Sequence, residues 1–355
     1  MDRNDLKSAL AAFDAYESNY PNDYLGPFYH AYPLMMLGRP EEAIRFLEEA
    51  QRRSPNSLFP MYHLAAFNLV LRRFDAAQKA IASLREMGYG DRADYFTGAL
   101  VFMQGQYDNA VAIFRTLRTA SDPYCRSRGY QMEGNVLAEL GRREEAIRLI
   151  NQSLPADVVG GRDHDRADKL MALAYLYLAK GGRAACRASC LQALQLDGSL
   201  ARSRDAGSLL AQAGYRADAR GVLEARDPGN YPPISEEVRH RLRGEILLAE
   251  GQKQKALEEF ERADRLTPPA ENREFLARAL VACGRLEEAW TIYKKAVEEQ
   301  GQIWYWAEIH PPGFWGDMIY QYGSLSMRLG KPEAAEAEAA YRKLREGADP
   351  AVPKL

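Results

Sequence analysis

The sequence predicts an all-α solenoid of about nine helix–turn–helix units preceded by one helix. Three observations predict it. The first is a recurring turn: Leu37-Gly38-Arg39-Pro40-Glu41-Glu42-Ala43-Ile44 returns as Leu140-Gly141-Arg142-Arg143-Glu144-Glu145-Ala146-Ile147 and as Cys283-Gly284-Arg285-Leu286-Glu287-Glu288-Ala289-Trp290. The second is its period. Taking Gly38, Arg72, Gly105, Gly141, Gly181, Gly214, Gly251, Gly284 and Gly330 as equivalent gives steps of 34, 33, 36, 40, 33, 37, 33 and 46 residues, the spacing of a repeat architecture. The third is a pair of small-residue columns. Five residues after each turn site stand Ala43, Ala77, Ala110, Ala146, Cys186, Ala219, Ala256, Ala289 and Ala335; seven before it stand Ala31, Ala65, Gly98, Gly134, Ala174, Gly207, Gly244, Ala277 and Gly323. Helices cross closely only where a hydrogen or a methyl group lies between their backbones.

These residues resemble the tetratricopeptide repeat (TPR) family, whose unit is a helix, a tight turn and a second antiparallel helix. The family's small-residue pair, turn glycine and closing proline are matched, for example, by Gly244, Ala256, Gly251 and Pro268. The resemblance runs from about Asn4 to Arg345. It departs from the family at Arg72, at Cys186, and where a closing proline is missing. It implies a right-handed superhelix in which the first helix of each unit lines a concave wall, and it implies ligands lying along that wall.

In chain order, residues 4–19 read as a lone second helix, with Ala9, Phe13 and Tyr16 on one face. Its usual first helix is absent, so this end is expected to be covered by a partner, a second copy or upstream residues. Repeats one to eight span 24–299. Pro33 lies inside the first helix of repeat one and should bend it. Loops are expected around Pro123, over Pro155–Asp165 and over Pro228–Pro233. Repeat four should close near Leu154. A tryptophan-rich insertion fills 301–316, and repeat nine with a capping helix over Pro332–Arg345 fills 317–346. A frayed tail is expected over 347–355, the whole counting as one solenoid over residues 1–355.

Composition narrows the function. At 355 residues and a net charge of −2, with acids interleaved among the arginines, no broad basic field exists for nucleic acid or an anionic membrane. The chain starts polar, carries no secretory leader and no stretch long enough to span a bilayer, so a cytoplasmic location is expected. Cys125, Cys186, Cys190 and Cys283 lack metal-type spacing and read as small packing residues. No phosphate loop, zinc-protease helix or nucleophile elbow appears. Asp163-His164-Asp165 reads as a solvated turn, and His30, His63 and His310 as packing or rim residues. No catalytic residue, metal site or cofactor is predicted.

Carrying the family's inward positions onto this chain gives Leu25, Phe28, Tyr32, Met35, Met36, Phe59, Tyr62, Leu69, Val70, Tyr95, Phe102 and Met103 in repeats one to three. Repeats four to nine supply Arg128, Gln131, Asn135, Tyr175, Arg204, Arg241, Glu245, Arg278, Tyr320 and Arg328. The wall thus turns from aromatic to arginine-studded near residue 125. A groove of this kind takes an amphipathic helix or extended apolar segment at its N-terminal half, with the arginines meeting acidic groups. Trp304, Trp306 and Trp315 form a second aromatic candidate, a hydrophobic plug or an anchor. The expected function is a non-enzymatic scaffold binding another protein or peptide, with a homodimer through the N-terminal half-repeat open. The alternative is the repeat module of a larger transferase or protease system.

Overall fold

The computed structural model describes residues 3–224, 235–269, 271, 273–300 and 313–355. Over these the chain is nineteen α-helices. A lone helix α1 (Arg3–Asn19) precedes the pairs α2 (Leu25–Met36) and α3 (Pro40–Arg53), α4 (Leu58–Val70) and α5 (Phe74–Glu86), and α6 (Gly90–Met103) and α7 (Tyr107–Leu117). Next come α8 (Pro123–Glu139) and α9 (Arg143–Val159), α10 (Asp163–Ala179) and α11 (Arg183–Leu196), and α12 (Leu200–Gln212) and α13 (Arg216–Glu224). The last pairs are α14 (Glu236–Ala249) and α15 (Lys253–Leu266), α16 (Glu274–Ala282) and α17 (Leu286–Glu298), and α18 (Phe314–Arg328) and α19 (Ala334–Leu344). The architecture is an α-solenoid of helix–turn–helix repeats.

The turn column has a conformational cause. Every turn glycine lies at positive φ, from Gly330 at 63° to Gly214 at 90°, and Arg72 joins them at 55°. Among the described residues Arg72 is the one non-glycine residue with positive φ. At each turn the next N–H returns to the carbonyl five residues back, as in Arg39 N to Leu34 O at 2.9 Å and Arg142 N to Leu137 O at 2.8 Å. That bond closes a helix through a left-handed residue and, at every turn but the one after Gly330, starts the antiparallel partner within two residues.

The small-residue columns are contact points. A Cβ on Gly98 would stand 2.6 Å from the Phe114 ring, and one on Gly244 would stand 2.5 Å from Phe260. Ala43, Ala77, Ala110, Ala146, Cys186, Ala219, Ala256 and Ala289 are all fully buried. The ninth member departs: Ala335 is exposed and Ala337 is buried in its stead. The turn after Gly330 runs to Glu333, so α19 starts at Ala334 rather than Pro332 and the register slips by two.

The chain divides into two compact units. Unit 1 is Met1–Gly129 with Leu266–Asn272 and Glu299–Trp306; unit 2 is Tyr130–Arg265 with Arg273–Glu298 and Ala307–Leu355. Phe67, Phe102 and Phe114 are fully buried in unit 1. In unit 2 the core around α10 to α12 is built on Ala174, Cys186, Cys190, Ala206 and Leu209. The buried cysteines are free thiols filling methyl-sized space.

Three local expectations are corrected. Pro155 does not open a loop: α9 continues through it to Val159, and only Gly160-Gly161-Arg162 separate it from α10. The reason is a buried polar cluster in which Asp157 accepts from Lys169 Nζ at 2.6 Å and Arg162 Nη2 at 2.7 Å. Asp163-His164-Asp165 is accordingly the first turn of α10, with Asp165 buried. Pro123 is likewise the first residue of α8, where its missing N–H has no helical partner to lose. The tail is docked rather than frayed: Val352 is buried and Tyr341 Oη donates to Pro353 O at 2.7 Å. Pro33 sits inside α2, whose span is continuous. The Pro228–Pro233 loop and His310 lie outside the described residues.

Candidate functional site

In unit 1 the first helices present a run of rings. Phe13 stacks on Tyr29 at 5.5 Å, and Tyr29 meets Phe28 at 5.3 Å. Phe28 reaches Phe59 at 6.3 Å and the His63 ring at 5.1 Å. Tyr62 continues the run from His63 at 5.6 Å to Phe96 at 4.6 Å, and Phe96 meets Tyr95 at 5.2 Å. Rings at these separations reinforce one another beyond area burial. The open end lies at α1, α2 and α4, where Tyr20 is 58%, Phe59 56% and Tyr29 45% exposed.

The predicted wall residues divide by depth. Phe59 is exposed; Leu25, Phe28, Tyr32 and Tyr62 are half-buried. Met35, Met36, Leu69, Val70, Tyr95, Phe102 and Met103 lie inside the unit, Phe102 against Tyr107 at 5.2 Å. Tyr29 and His63 belong to the aromatic run and are absent from the predicted wall. For Tyr29 the available signal was the adjacent Phe28, which puts two rings on neighbouring faces of one helix. His30 is buried, its ring nitrogens near Gly26 O at 2.8 Å and Asp14 Oδ1 at 3.0 Å. Arg128 closes this unit's side of the wall, buried with its guanidinium 5.2 Å from the Tyr124 ring, which also holds Arg92 at 4.0 Å.

Unit 2 is lined differently. Asn135 is buried, its side-chain amide donating to Met132 Sδ at 3.8 Å. Arg204 bonds Asp205 at 2.9 Å. Arg241 lies 3.4 Å from Glu237 and 4.0 Å over the Phe275 ring. Arg278 bridges Glu245 and Glu274, the latter at 2.6 Å. Burial pushes the Glu274 carboxyl up, and Tyr175 is raised further by burial among Asp205, Glu274 and Glu245. Arg204, Arg241 and Arg278, expected to meet a partner's acids, thus already hold acids of this chain.

Many of these ion pairs join one repeat to the next. Arg202–Asp168, Arg187–Asp218, Arg278–Glu245, Lys180–Glu144, Arg220–Glu250 and Lys294–Glu333 connect residues 30 to 39 positions apart. They fix the stacking of neighbours, the term on which a repeat array depends. Trp315 is buried in the first turn of α18, whereas Trp304 and Trp306 lie outside the described residues. Among the described residues no group of three or more His, Cys, Asp or Glu side chains is placed to hold a metal ion. Among them no helix is long and apolar enough to cross a membrane.

Residues 69–124, covering the α4–α5 turn to the start of α8, match the tetratricopeptide repeat family model. The family is thus matched over that stretch of the chain. No curated protein matches it. Among solved structures, the chain is similar to a tetratricopeptide repeat protein from Parabacteroides merdae ATCC 43184, at 16% identity and a TM-score of 0.44, over 73% of this chain and 98% of that one. It is also similar to YrrB, a TPR protein described as having an unusual peptide-binding site, at 16% identity and a TM-score of 0.31, over 54% of this chain and 94% of that one.

Proposed function

We propose that this chain is a non-enzymatic scaffold that holds another protein by an amphipathic helix or extended apolar segment laid on the aromatic face of unit 1. The observation that carries the reading is the run of rings opening at Phe59 and Tyr29, each about half exposed. Large rings of this kind, half wet and half packed, are what interfaces use as anchors. Phe28, Tyr32, Phe59 and Tyr62 are the contact residues, with Tyr29 and His63 at their border. Met35, Met36, Tyr95, Phe102 and Met103 support them from beneath.

The test is a photo-crosslinker placed at Phe59, read with and without Phe28→Ala. Truncating an anchor ring is expected to cost about 2 kcal/mol of binding, roughly thirtyfold in capture, with helical circular dichroism unchanged. Equal crosslinking in both proteins would remove this face from the account.

A further inference from the structure

Within unit 2 the last helix pair returns to the first. Gly313 lies 3.4 Å, by its notional Cβ, from Ala138 O at the end of α8. The Glu139 carboxylate accepts from the backbone N–H groups of Trp315 at 3.3 Å and Gly316 at 2.8 Å, so a residue of α8 caps the first turn of α18. The exchange is mutual. Asp349 Oδ2 accepts from Glu144 N at 3.0 Å in the first turn of α9, and Asp349 N donates to Gly141 O at 3.0 Å. Between the caps, Arg345 donates to Ala138 O at 2.9 Å and to Asp317 at 3.2 Å, and Arg143 reaches the same Asp317 oxygen at 3.3 Å. The fit is close, because a Cβ on Gly316 would collide with Arg345 and one on Gly141 would meet Ala348 at 2.6 Å.

This seam differs in kind from the contacts between repeats. Those have a core of fully buried small and branched apolar residues such as Ala174, Ala206, Leu209 and Leu210, to which ion pairs such as Arg202–Asp168 are added. Here the groups facing each other are Glu139, Arg143, Asp317, Arg345 and Asp349, with Trp315 and Ala348 as the apolar part. Charged groups exchange water for one another with a small net gain, and Asp317 stays half open to solvent, where salt screens it.

We propose that this seam is a latch: residues 345–349 and the first turn of α18 dock reversibly on the α8–α9 turn, and unit 2 opens there before any of its helix pairs separates. The reciprocal caps make opening cooperative, since releasing either one strips the other of its fixed geometry.

Hydrogen–deuterium exchange of the full chain tests this with Asp349→Ala. The substitution touches the α9 cap and no atom of α18. The latch requires that exchange rise roughly fivefold, as for a lost helix cap, both at the peptide carrying Glu144 and at the distant peptide carrying Trp315–Gly316, with α11 and α12 unchanged. A rise at Glu144 alone would reduce Asp349 to a local cap, and a rise throughout unit 2 would make the seam part of the folding core; either overturns the latch. Salt added to the unaltered protein must accelerate the same two peptides selectively, and uniform or absent acceleration sinks the proposal independently of any variant.

Discussion

Ten residues before the turn site, the three repeats of unit 1 carry Phe28, Tyr62 and Tyr95, while the six that follow carry Gln131, Met171, Arg204, Arg241, Glu274 and Tyr320. The turns and crossing points beside them are alike in both units. Gly98 meets Phe114 in unit 1 much as Gly244 meets Phe260 in unit 2. The fold therefore constrains the small columns and the turn but leaves this position to other demands. In unit 1 it is filled by rings that stack, Phe28 and Tyr62 half-buried and Tyr95 buried; in unit 2 three of the six, Arg204, Arg241 and Glu274, are ions that pair within the chain. A repeat whose facing residues are already paired has little left to offer a ligand, whereas half-exposed rings do.

The comparison breaks hardest at the buried ion pairs. Lys169 is fully buried with its ammonium on Asp157. Lys169→Met keeps the volume and takes from the buried Asp157 carboxylate one of its two cations, leaving Arg162, at a cost of about 3 kcal/mol. Urea unfolding followed by exchange in α9 and α10 should show that loss, with α4 and α5 unaffected. Asp157→Asn added to Lys169→Met should recover most of it, because the charge left behind is what destabilises.

Second in size is a pH dependence confined to the seam of unit 2. Burial, opposed by Arg345 and by the Gly316 and Trp315 amides, raises the Glu139 carboxyl from 4.5 to about 7. Its neighbours are Arg143 from α9, Asp317 from α18, and Arg345 and Asp349 beyond α19, and burial raises Asp317 also. The latched form thus binds a proton more tightly than the open one. Its stability is greatest below the ordinary carboxylate range, falls as pH rises through about 4.5 to 7, and is flat above. Protection of the Trp315 amide should follow that course, and Glu139→Gln should flatten it. In unit 1 the sign reverses: the Leu25 amide and Tyr16 lower Asp23, Arg39 lowers Glu42, and Arg52 and Arg53 lower Glu49. Those half-buried groups favour the folded unit at neutral pH.

How much of this was legible depended on range. The turn glycines and small columns are local and repeated, so nine copies report one geometry, and the helix pairs follow. Phe28, Phe59 and Tyr62 were legible as well, because their phase within the repeat puts them on the first helix. The continuation of α9 past Pro155 was not, since its cause is Lys169 reaching back twelve positions to a carboxylate. Nor was the docking of the tail, which rests on Asp349 meeting Glu144 across 205 positions. Ala335 misled because two alanines stand near the expected place, and only the longer turn after Gly330 selects Ala337.

The smallest effect concerns the one turn that lacks glycine. Arg72 sits at φ 55°, a conformation that costs a residue with a Cβ about 1–2 kcal/mol. Its guanidinium donates to Gln300 at 3.1 Å and stands 5.6 Å over the Phe74 ring. Arg72→Gly relieves the strain, adds chain entropy of about 0.5–1 kcal/mol to the unfolded state, and deletes one partly exposed hydrogen bond. The terms nearly cancel, so protection in α4 and α5 should rise by about 0.5 kcal/mol or less. A loss above about 1 kcal/mol would instead mean that Arg72 is kept for its bond to Gln300. The turn would then serve to hold Gln300 in unit 1, and unit 1 too would depend on a polar tether that its repeat pattern does not display.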